Sequence, residues 1–127
     1  MQIAGVKRLI AGSLKAGHGA LSEYDSKRVL AAYGVPVTRE RLVKTAAEAK
    51  VAATRLGYPV VLKGCAHDLL HKTEAGLVAV GLSSAREVAD AFDTLKKRAG
   101  KTFNGAFLVQ EMVKGDRELM IGMIRDA

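Results

Sequence analysis

The unbroken apolar run at residues 60–62 constrains the fold more than any other feature of this sequence. Val60, Val61 and Leu62 follow Pro59 with no polar residue between them. A strand with one face in water alternates apolar and polar side chains, so a run without alternation indicates a strand that is covered on both faces. We therefore predict an α/β domain in which helices flank a sheet.

Helix and strand signals around this run predict the element order α, β, α, β, β, α, β, β. Helices are indicated after the capping residues Ser22, Thr45 and Ser83 or Ser84. The last two strands, AFLVQEMV and RELMIGMI, are separated by the short turn KGD, which predicts a terminal hairpin. We expect residues 1–20 to be an N-terminal segment and residues 21–127 to be an incomplete domain, because the sequence stops directly after an apolar strand; whether the gene itself ends there stays open.

Length, charge and cysteine content exclude several classes of protein. A chain of 127 residues suggests one domain, since a single core usually takes roughly 100–150 residues. The formal net charge of +7 favours anionic partners, but the basic residues are scattered and no aromatic residues lie among them, so we expect no nucleic acid partner. The single cysteine, Cys65, indicates a reducing, cytoplasmic setting. No apolar run approaches the roughly 20 residues that cross a bilayer, so we expect no membrane association.

Lys63 and His71 are the first candidate site residues. A lysine at the end of an apolar strand can simply mark where the chain meets solvent, or it can hold a nucleotide phosphate as a point charge. A histidine before a glycine-containing turn can be an ordinary surface residue, or it can carry a phosphoryl group as a covalent intermediate. His67 and His71 are four residues apart, but a metal pair would also need a helix and an acidic third ligand, so we expect no metal site here.

The stretch VQEMVKGDRELMIG contains a second candidate site. Glu111 interrupts an apolar strand, and Glu118 begins the next apolar run. A glutamate is disfavoured in a strand, and a buried carboxylate needs a partner. Both side chains could face solvent from a half-exposed hairpin. Alternatively, the backbone of residues 111–113 could pair with an adenine edge while Glu118 accepts hydrogen bonds from ribose hydroxyls.

Taken in order, four segments resemble the ATP-grasp domain of the NDP-forming acyl-CoA synthetases, the family that includes the ADP-forming acetate–CoA ligases. The segments are LSEYDSKRVLAAYGVPV, PVVLK, LLHKTEAGLVAVGL and VQEMVKGDRELMIGM. The similarity runs from about residue 20 to the C-terminus. The HK-x-x-x-G segment is its most specific part, because other ATP-grasp proteins lack that histidine.

The resemblance implies the N-terminal lobe of an ATP-grasp domain and a set of site residues. The family converts acyl-CoA, ADP and phosphate reversibly into acid, CoA and ATP, and a histidine of the ATP-grasp domain passes the phosphoryl group to the nucleotide. His71 would be that catalytic residue. The nucleotide-binding residues would be Lys63 and Gly76 near the phosphates, Glu111, Met112 and Val113 at the adenine, and Glu118 at the ribose.

Cofactors and partners follow from the same resemblance. We expect ATP or ADP as the bound nucleotide and Mg²⁺ whose ligands lie outside this fragment. The partners would be the CoA-binding and ligase domains or a subunit that carries them, and a homo-oligomer stays open. We expect the 127 residues alone to be inactive, because groups that phosphoryl transfer requires are missing. The alternative is a non-catalytic nucleotide-sensing or interaction module, for example in an acyltransferase-fused protein.

Overall fold

The computed structural model describes residues 2–67, 76–115, 117–122 and 124–125, and within these ranges the chain forms four helices and four strands. The mixed α/β class predicted from the sequence is confirmed. The helices are α1 (Ile3–Lys15), α2 (Glu23–Ala32), α3 (Ala46–Leu56) and α4 (Ala85–Ala99). The strands are β1 (Glu40–Val43), β2 (Val60–Cys65), β3 (Val78–Leu82) and β4 (Ala106–Glu111).

Short polar side chains begin three of the helices, as predicted. Ser22, Thr45 and Ser84 each accept a hydrogen bond from the backbone N–H three residues further on. Such a bond satisfies one of the N–H groups that the first turn of a helix leaves without a partner. Gly57 ends α3 with φ of 90°, a conformation that residues with a Cβ rarely adopt. These local signals therefore fix where α2, α3 and α4 lie along the chain.

The sheet is antiparallel and has the strand order β1-β4-β2-β3. Leu62 of β2 lies opposite Val109 of β4, and Lys63 lies opposite Leu108. Because residues directly opposite each other share a face of the sheet, Leu62 and Val109 are on one face and Lys63 is on the other.

The first face forms the hydrophobic core against α3 and α4. Val60, Leu62 and Val109 are fully buried there, and Phe92 of α4 is 2% exposed. The rings of Phe92 and Phe107 lie 4.7 Å apart, centroid to centroid, in a tilted arrangement. Burial of a large apolar side chain contributes on the order of 2 kcal/mol, so this face contributes strongly to the stability of the fold. We call it the core face and the opposite one the polar face.

The predicted terminal hairpin is wrong for the residues that the structure describes. Residues 117–122 and 124–125 have neither helix nor strand, and Leu119, Met120 and Ile121 are more than 90% exposed. The reason is the position of β4 in the sheet. β4 pairs with β1 on one side and with β2 on the other, so neither edge is free for a following strand.

Candidate functional site

Lys63 lies on the polar face, where its side chain turns toward the first turn of α2. Its Nζ atom is 3.3 Å from Glu23 Oε2, and both side chains are about one-fifth exposed. Val61 and Cys65, on the same face of β2, are buried. The lysine is therefore held at a defined place by an ion pair and apolar neighbours, and it does not extend freely into solvent.

A network of hydrogen bonds joins Lys63 to four other parts of the chain. The Lys27 ammonium donates to Glu23 Oε2 at 3.0 Å, to Thr38 Oγ1 at 3.1 Å and to Glu40 Oε1 at 2.8 Å. Thr38 donates to Glu40 Oε1 at 3.0 Å and accepts from Gln110 Nε2 at 2.6 Å. This polar network connects α2, the segment before β1, β1 itself and β4, and it ends at Lys63 on β2. It is defined by Glu23, Lys27, Thr38, Glu40, Lys63 and Gln110.

The charged state of Lys27 is favoured by its two carboxylate partners. Burial alone disfavours the ammonium, but hydrogen bonds to Glu40 and Glu23 and their negative charges outweigh it, so the pKa of Lys27 is raised. The Glu40 side chain is 7% exposed, and its second oxygen, Oε2, is buried without a hydrogen-bond partner among the described residues. Lys27 is thus the main compensation for a carboxylate that has little access to water.

Glu111 occupies a different place from Lys63. It follows Phe107 and Val109 at alternate positions, so its side chain lies on the core-face side of β4. Its Oε1 accepts from the Arg39 backbone N–H at 3.0 Å, and its Oε2 accepts from Arg39 Nε at 2.9 Å. These two hydrogen bonds hold the pKa of the Glu111 carboxyl below its usual value, and the one from the backbone N–H contributes more than the one from the guanidinium. Arg39 also donates to the Leu56 carbonyl at 3.2 Å.

The backbone that follows Glu111 has a carbonyl that forms no hydrogen bond within the sheet. The Glu111 N–H donates to the Arg39 carbonyl at 2.9 Å, and the Met112 N–H donates to the Pro59 carbonyl at 3.4 Å. In an antiparallel pair the Pro59 N–H would answer the Met112 carbonyl, but proline has none. No backbone N–H of the described residues donates to that carbonyl. Met112 is 38% exposed and Val113 is 66% exposed, so the chain here is open to a ligand.

The other predicted site residues are less closely connected to Lys63. Gly76 has φ of 68°, and its carbonyl accepts from Arg98 Nη1 at 3.3 Å. Leu77, directly after it, packs in the core at 3% exposure. Glu118 is exposed, and none of the described residues forms a hydrogen bond or ion pair with its side chain. The predicted catalytic residue, His71, lies outside the described residues.

The remaining candidate metal ligands are two histidines and the carboxylates. The rings of His18 and His67 are stacked at 3.8 Å between centroids, and their Nδ1 atoms are buried without partners in the part of the chain that is described. Within that part, no group of three or more His, Cys, Asp or Glu side chains could hold a metal ion. Glu23 and Glu40 are already bound to Lys27. The described residues therefore do not fit a Mg²⁺ site.

The sequence interpretation missed most of the polar network. Glu23 and Lys27 are four residues apart on a helix, a spacing that predicts an ion pair, so this part of the network was visible in the sequence. Glu40, Thr38 and Gln110 meet only because β1 pairs with β4. Arg39 reaches Glu111 across 72 positions of the sequence, and no local signal marks that contact.

Comparison with known proteins gives the family. The sequence matches the ATP-grasp domain over residues 12–127, which is most of the chain. The chain belongs to the ATP-grasp family. The resemblance stated from its motifs is thereby confirmed. The polar network and the open backbone after Glu111 belong to an ATP-grasp domain.

Two curated relatives of this ATP-grasp chain are named as ADP-forming CoA ligases. It is 45% identical over 106 residues to 4-hydroxybutyrate–CoA ligase [ADP-forming] of Nitrosopumilus maritimus, covering 80% of this chain and 15% of that protein. It is 36% identical over 123 residues to the β subunit of acetate–CoA ligase [ADP-forming] II of Pyrococcus furiosus, covering 94% of this chain and 52% of that subunit. The chain thus spans about half the length of the Pyrococcus furiosus subunit and a much smaller part of the Nitrosopumilus maritimus protein.

A solved structure shares the fold. The ATP-grasp chain superposes on dinucleotide forming acetyl-coenzyme A synthetase 1 of Ca. Korarchaeum cryptofilum, in complex with coenzyme A, Ca-AMPCP and HgCl⁺, with a TM-score of 0.79. The sequence identity is 32%, over 86% of this chain and 49% of that one.

None of the helices that the structure describes has the length and apolar character that crossing a membrane requires.

Proposed function

We propose that this chain is the nucleotide-binding part of an ADP-forming acyl-CoA synthetase and that its polar face receives the nucleotide phosphates. The observation that carries the proposal is that the Lys63 ammonium has more hydrogen-bond donors than the described residues offer acceptors. An ammonium has three N–H donors, and Glu23 is the one acceptor that the described residues offer it. Lys63 therefore keeps donors for an anionic oxygen while an ion pair fixes its position. A phosphate recognised as a point charge suits a lysine.

The adenine would lie against Met112 and Val113. An adenine edge presents an amino donor beside a ring-nitrogen acceptor, so it needs a carbonyl and an N–H on one backbone stretch. Pro59 leaves the Met112 carbonyl without a strand donor, so this carbonyl would accept a hydrogen bond from the adenine amino group, whereas the Val113 N–H belongs to the same trans peptide bond and points the other way. Glu111 would contribute by holding this stretch in place, since its carboxylate is bound to Arg39.

Three further residues complete the proposed site. Gly76 would let the backbone approach a phosphate, because its positive φ excludes most side chains. Glu118 would accept hydrogen bonds from the ribose hydroxyls. His71 would carry the phosphoryl group on a ring nitrogen. A β-phosphate oxygen of ADP would then attack the phosphorus, forming the new O–P bond of ATP while the N–P bond breaks and its electron pair returns to the imidazole.

The whole protein's activity is part of the same proposal. It would interconvert acyl-CoA, ADP and phosphate with acid, CoA and ATP, in the cytoplasm. Mg²⁺ would neutralise charge on the transferring phosphoryl group, with ligands supplied from beyond the described residues. The CoA-binding and ligase domains, on the same polypeptide or on a partner subunit, would perform the thioester chemistry. The division into residues 1–20 and an ATP-grasp lobe at 21–127 also stays a proposal.

The test uses the full-length protein with acyl-CoA, ADP and radiolabelled phosphate. We expect labelled ATP from the wild type and a loss of at least about a thousandfold in the rate with His71→Ala, as is usual when a covalent nucleophile is removed. His67→Ala serves as the matched control, because it removes a neighbouring imidazole. Equal rates of ATP formation in the wild type and His71→Ala would contradict the relay. Absence of ADP binding by the wild type would contradict the whole proposal.

A further inference from the structure

The strand β1 lies at one end of the sheet, and within the part of the chain that the structure describes its outer edge has no strand partner. The Glu111 N–H donates to the Arg39 carbonyl, so these two residues form a hydrogen-bonded pair of the antiparallel ladder. Such bonding alternates along a strand, so Glu40 and Leu42 turn their backbone groups away from β4. Each of them therefore offers one N–H and one C=O to a strand added at this edge.

A groove lies beside this edge, between β1 and α3. At one end the Arg39 guanidinium donates to the Leu56 carbonyl at 3.2 Å. At the other end the Lys44 N–H donates to Glu48 Oε2 at 2.7 Å, so α3 runs antiparallel to β1. The groove has a volume of about 450 Å³, and its walls include Arg41, Leu42, Val43, Ala47, Val51 and Arg55.

Part of the groove wall is uncovered apolar surface. Leu42 is 42% exposed and Val51 is 53% exposed, whereas Val43 and Ala52 are buried in the core. Alternate side chains of a strand share a face, so a strand added beside β1 would place every second side chain on the groove side of the sheet. An apolar side chain at those positions would cover Val51.

The groove also carries two cations without counter-charges. Arg41 and Arg55 are exposed, and none of the described residues forms a hydrogen bond or ion pair with either guanidinium. Glu48 is the acidic residue of the groove wall, and it already accepts from the Lys44 N–H. Arg55 lies about 10 Å further along the axis of α3 than Glu48, so this carboxylate is too far away to pair with it.

We propose that the free edge of β1 binds an extended, acidic segment of another protein chain as an added strand. The outward backbone groups of Glu40 and Leu42 recur at every second residue, a repeat that a strand matches and a helix does not. The groove wall takes apolar side chains at alternate positions, and Arg41 and Arg55 take a carboxylate. The inference does not rest on nucleotide binding, because the proposed nucleotide site uses none of the groove residues.

The experiment titrates the full-length protein with a blocked peptide, Glu-Thr-Val-Thr-Val-Thr-Glu, by calorimetry. In a strand its valines and glutamates share one face, and a glutamate at each end serves either strand direction. We expect a Kd of about 0.1 mM or tighter for the wild type and binding at least about tenfold weaker for Arg41→Glu/Arg55→Glu. A peptide with lysine in place of both glutamates should lose as much. Lys50→Glu, at an exposed position of α3 outside the groove, is the matched control and should stay within about twofold of the wild type.

Methylation of the peptide backbone tests the added strand itself. In a strand the threonine N–H groups point one way and the valine N–H groups point the other, so only one set can bond to β1. We expect N-methylation of one set to weaken binding by at least about tenfold and N-methylation of the other to change it by less than about threefold. Equal effects of the two methylated peptides would overturn strand addition.

Three further results would overturn the inference. No binding by the wild type at about 1 mM peptide would mean that the basic residues only protect the edge from pairing. An unchanged affinity in Arg41→Glu/Arg55→Glu would remove the acidic character of the partner. A wild-type dimer that light scattering detects, and that Arg41→Glu/Arg55→Glu dissociates, would assign the edge to a second copy of this chain.

Discussion

The two faces of the sheet are built from the same strands and have opposite chemistry. Leu62 faces α3 and α4 and is fully buried, whereas its neighbour Lys63 faces α2 and is paired to Glu23. Val109 and Gln110 on β4 divide in the same way. The core face carries the main apolar cluster, whereas the polar face combines buried Val61 and Leu108 with the charged network, so we expect changes in that network to affect ligand binding more than stability.

The largest expected effect is on stability from a change at the core face. Phe92→Ala should lower the free energy of unfolding by about 3–5 kcal/mol, because it removes a ring that is 2% exposed and leaves a cavity. Urea unfolding followed by circular dichroism measures the change. Val80→Ala, at a side chain 64% exposed, is the control and should stay within about 0.5 kcal/mol. A loss below about 1 kcal/mol for Phe92→Ala would contradict a core on this side of the sheet.

A smaller effect on stability is expected from the polar face. Lys63→Met should change the free energy of unfolding by less than about 1 kcal/mol, because its ion pair is partly exposed and methionine keeps the apolar stem. The same variant should lose ADP affinity by at least about tenfold. Urea unfolding and calorimetric titration give the two values. If Lys63→Met lowered the free energy of unfolding by more than about 3 kcal/mol and left ADP affinity unchanged, the division of roles between the faces would be contradicted.

The smallest effect on stability is expected from the ion pair between Arg39 and Glu111. Because the pKa of Glu111 is lowered in the folded protein, its contribution to stability is present above the ordinary glutamate pKa of about 4.3 and is lost as pH falls through the lowered value. Glu111→Gln should therefore be slightly less stable than the wild type at pH 7. The difference in melting temperature should shrink as pH falls below about 4.3. Glu118→Gln, at an exposed glutamate, is the control. A difference that grew toward low pH would contradict the Arg39 contact.

Local signals were sufficient for α2, α3, α4 and the buried strand, and the mixed α/β class followed from them, whereas α1 has no side-chain cap and was absent from the predicted order. Ser22, Thr45 and Ser84 carry their information in the side chain itself, through a hydrogen bond three residues away. No comparable local signal specifies which strands pair with each other. The runs AFLVQEMV and RELMIGMI have similar composition, yet β4 forms from the first while residues 117–122 form no strand. A hairpin between the two runs would need a free edge on β4, and both edges of β4 are already paired.

The candidate site was predictable in part for the same reason. Lys63 lies within β2, directly after the apolar run, so the strand itself places the lysine, and the family resemblance supplied its proposed role. Contacts across the sheet, such as Arg39 with Glu111 and Gln110 with Thr38, depend on strand order. Strand order is a property of the folded chain and leaves no trace in the spacing of residues. These contacts therefore became visible only in the structure.

Hydrogen–deuterium exchange of the full-length protein, with and without ADP, tests the central claim most directly. The claim is that nucleotide phosphates bind the polar face through Lys63 and that the base binds the backbone after Glu111. We predict slower exchange on ADP binding in peptides that cover residues 60–65 and 110–113, with little change in α3 and α4. Protection confined to residues 46–56 and 85–99, with none at 60–65 or 110–113, would contradict the account.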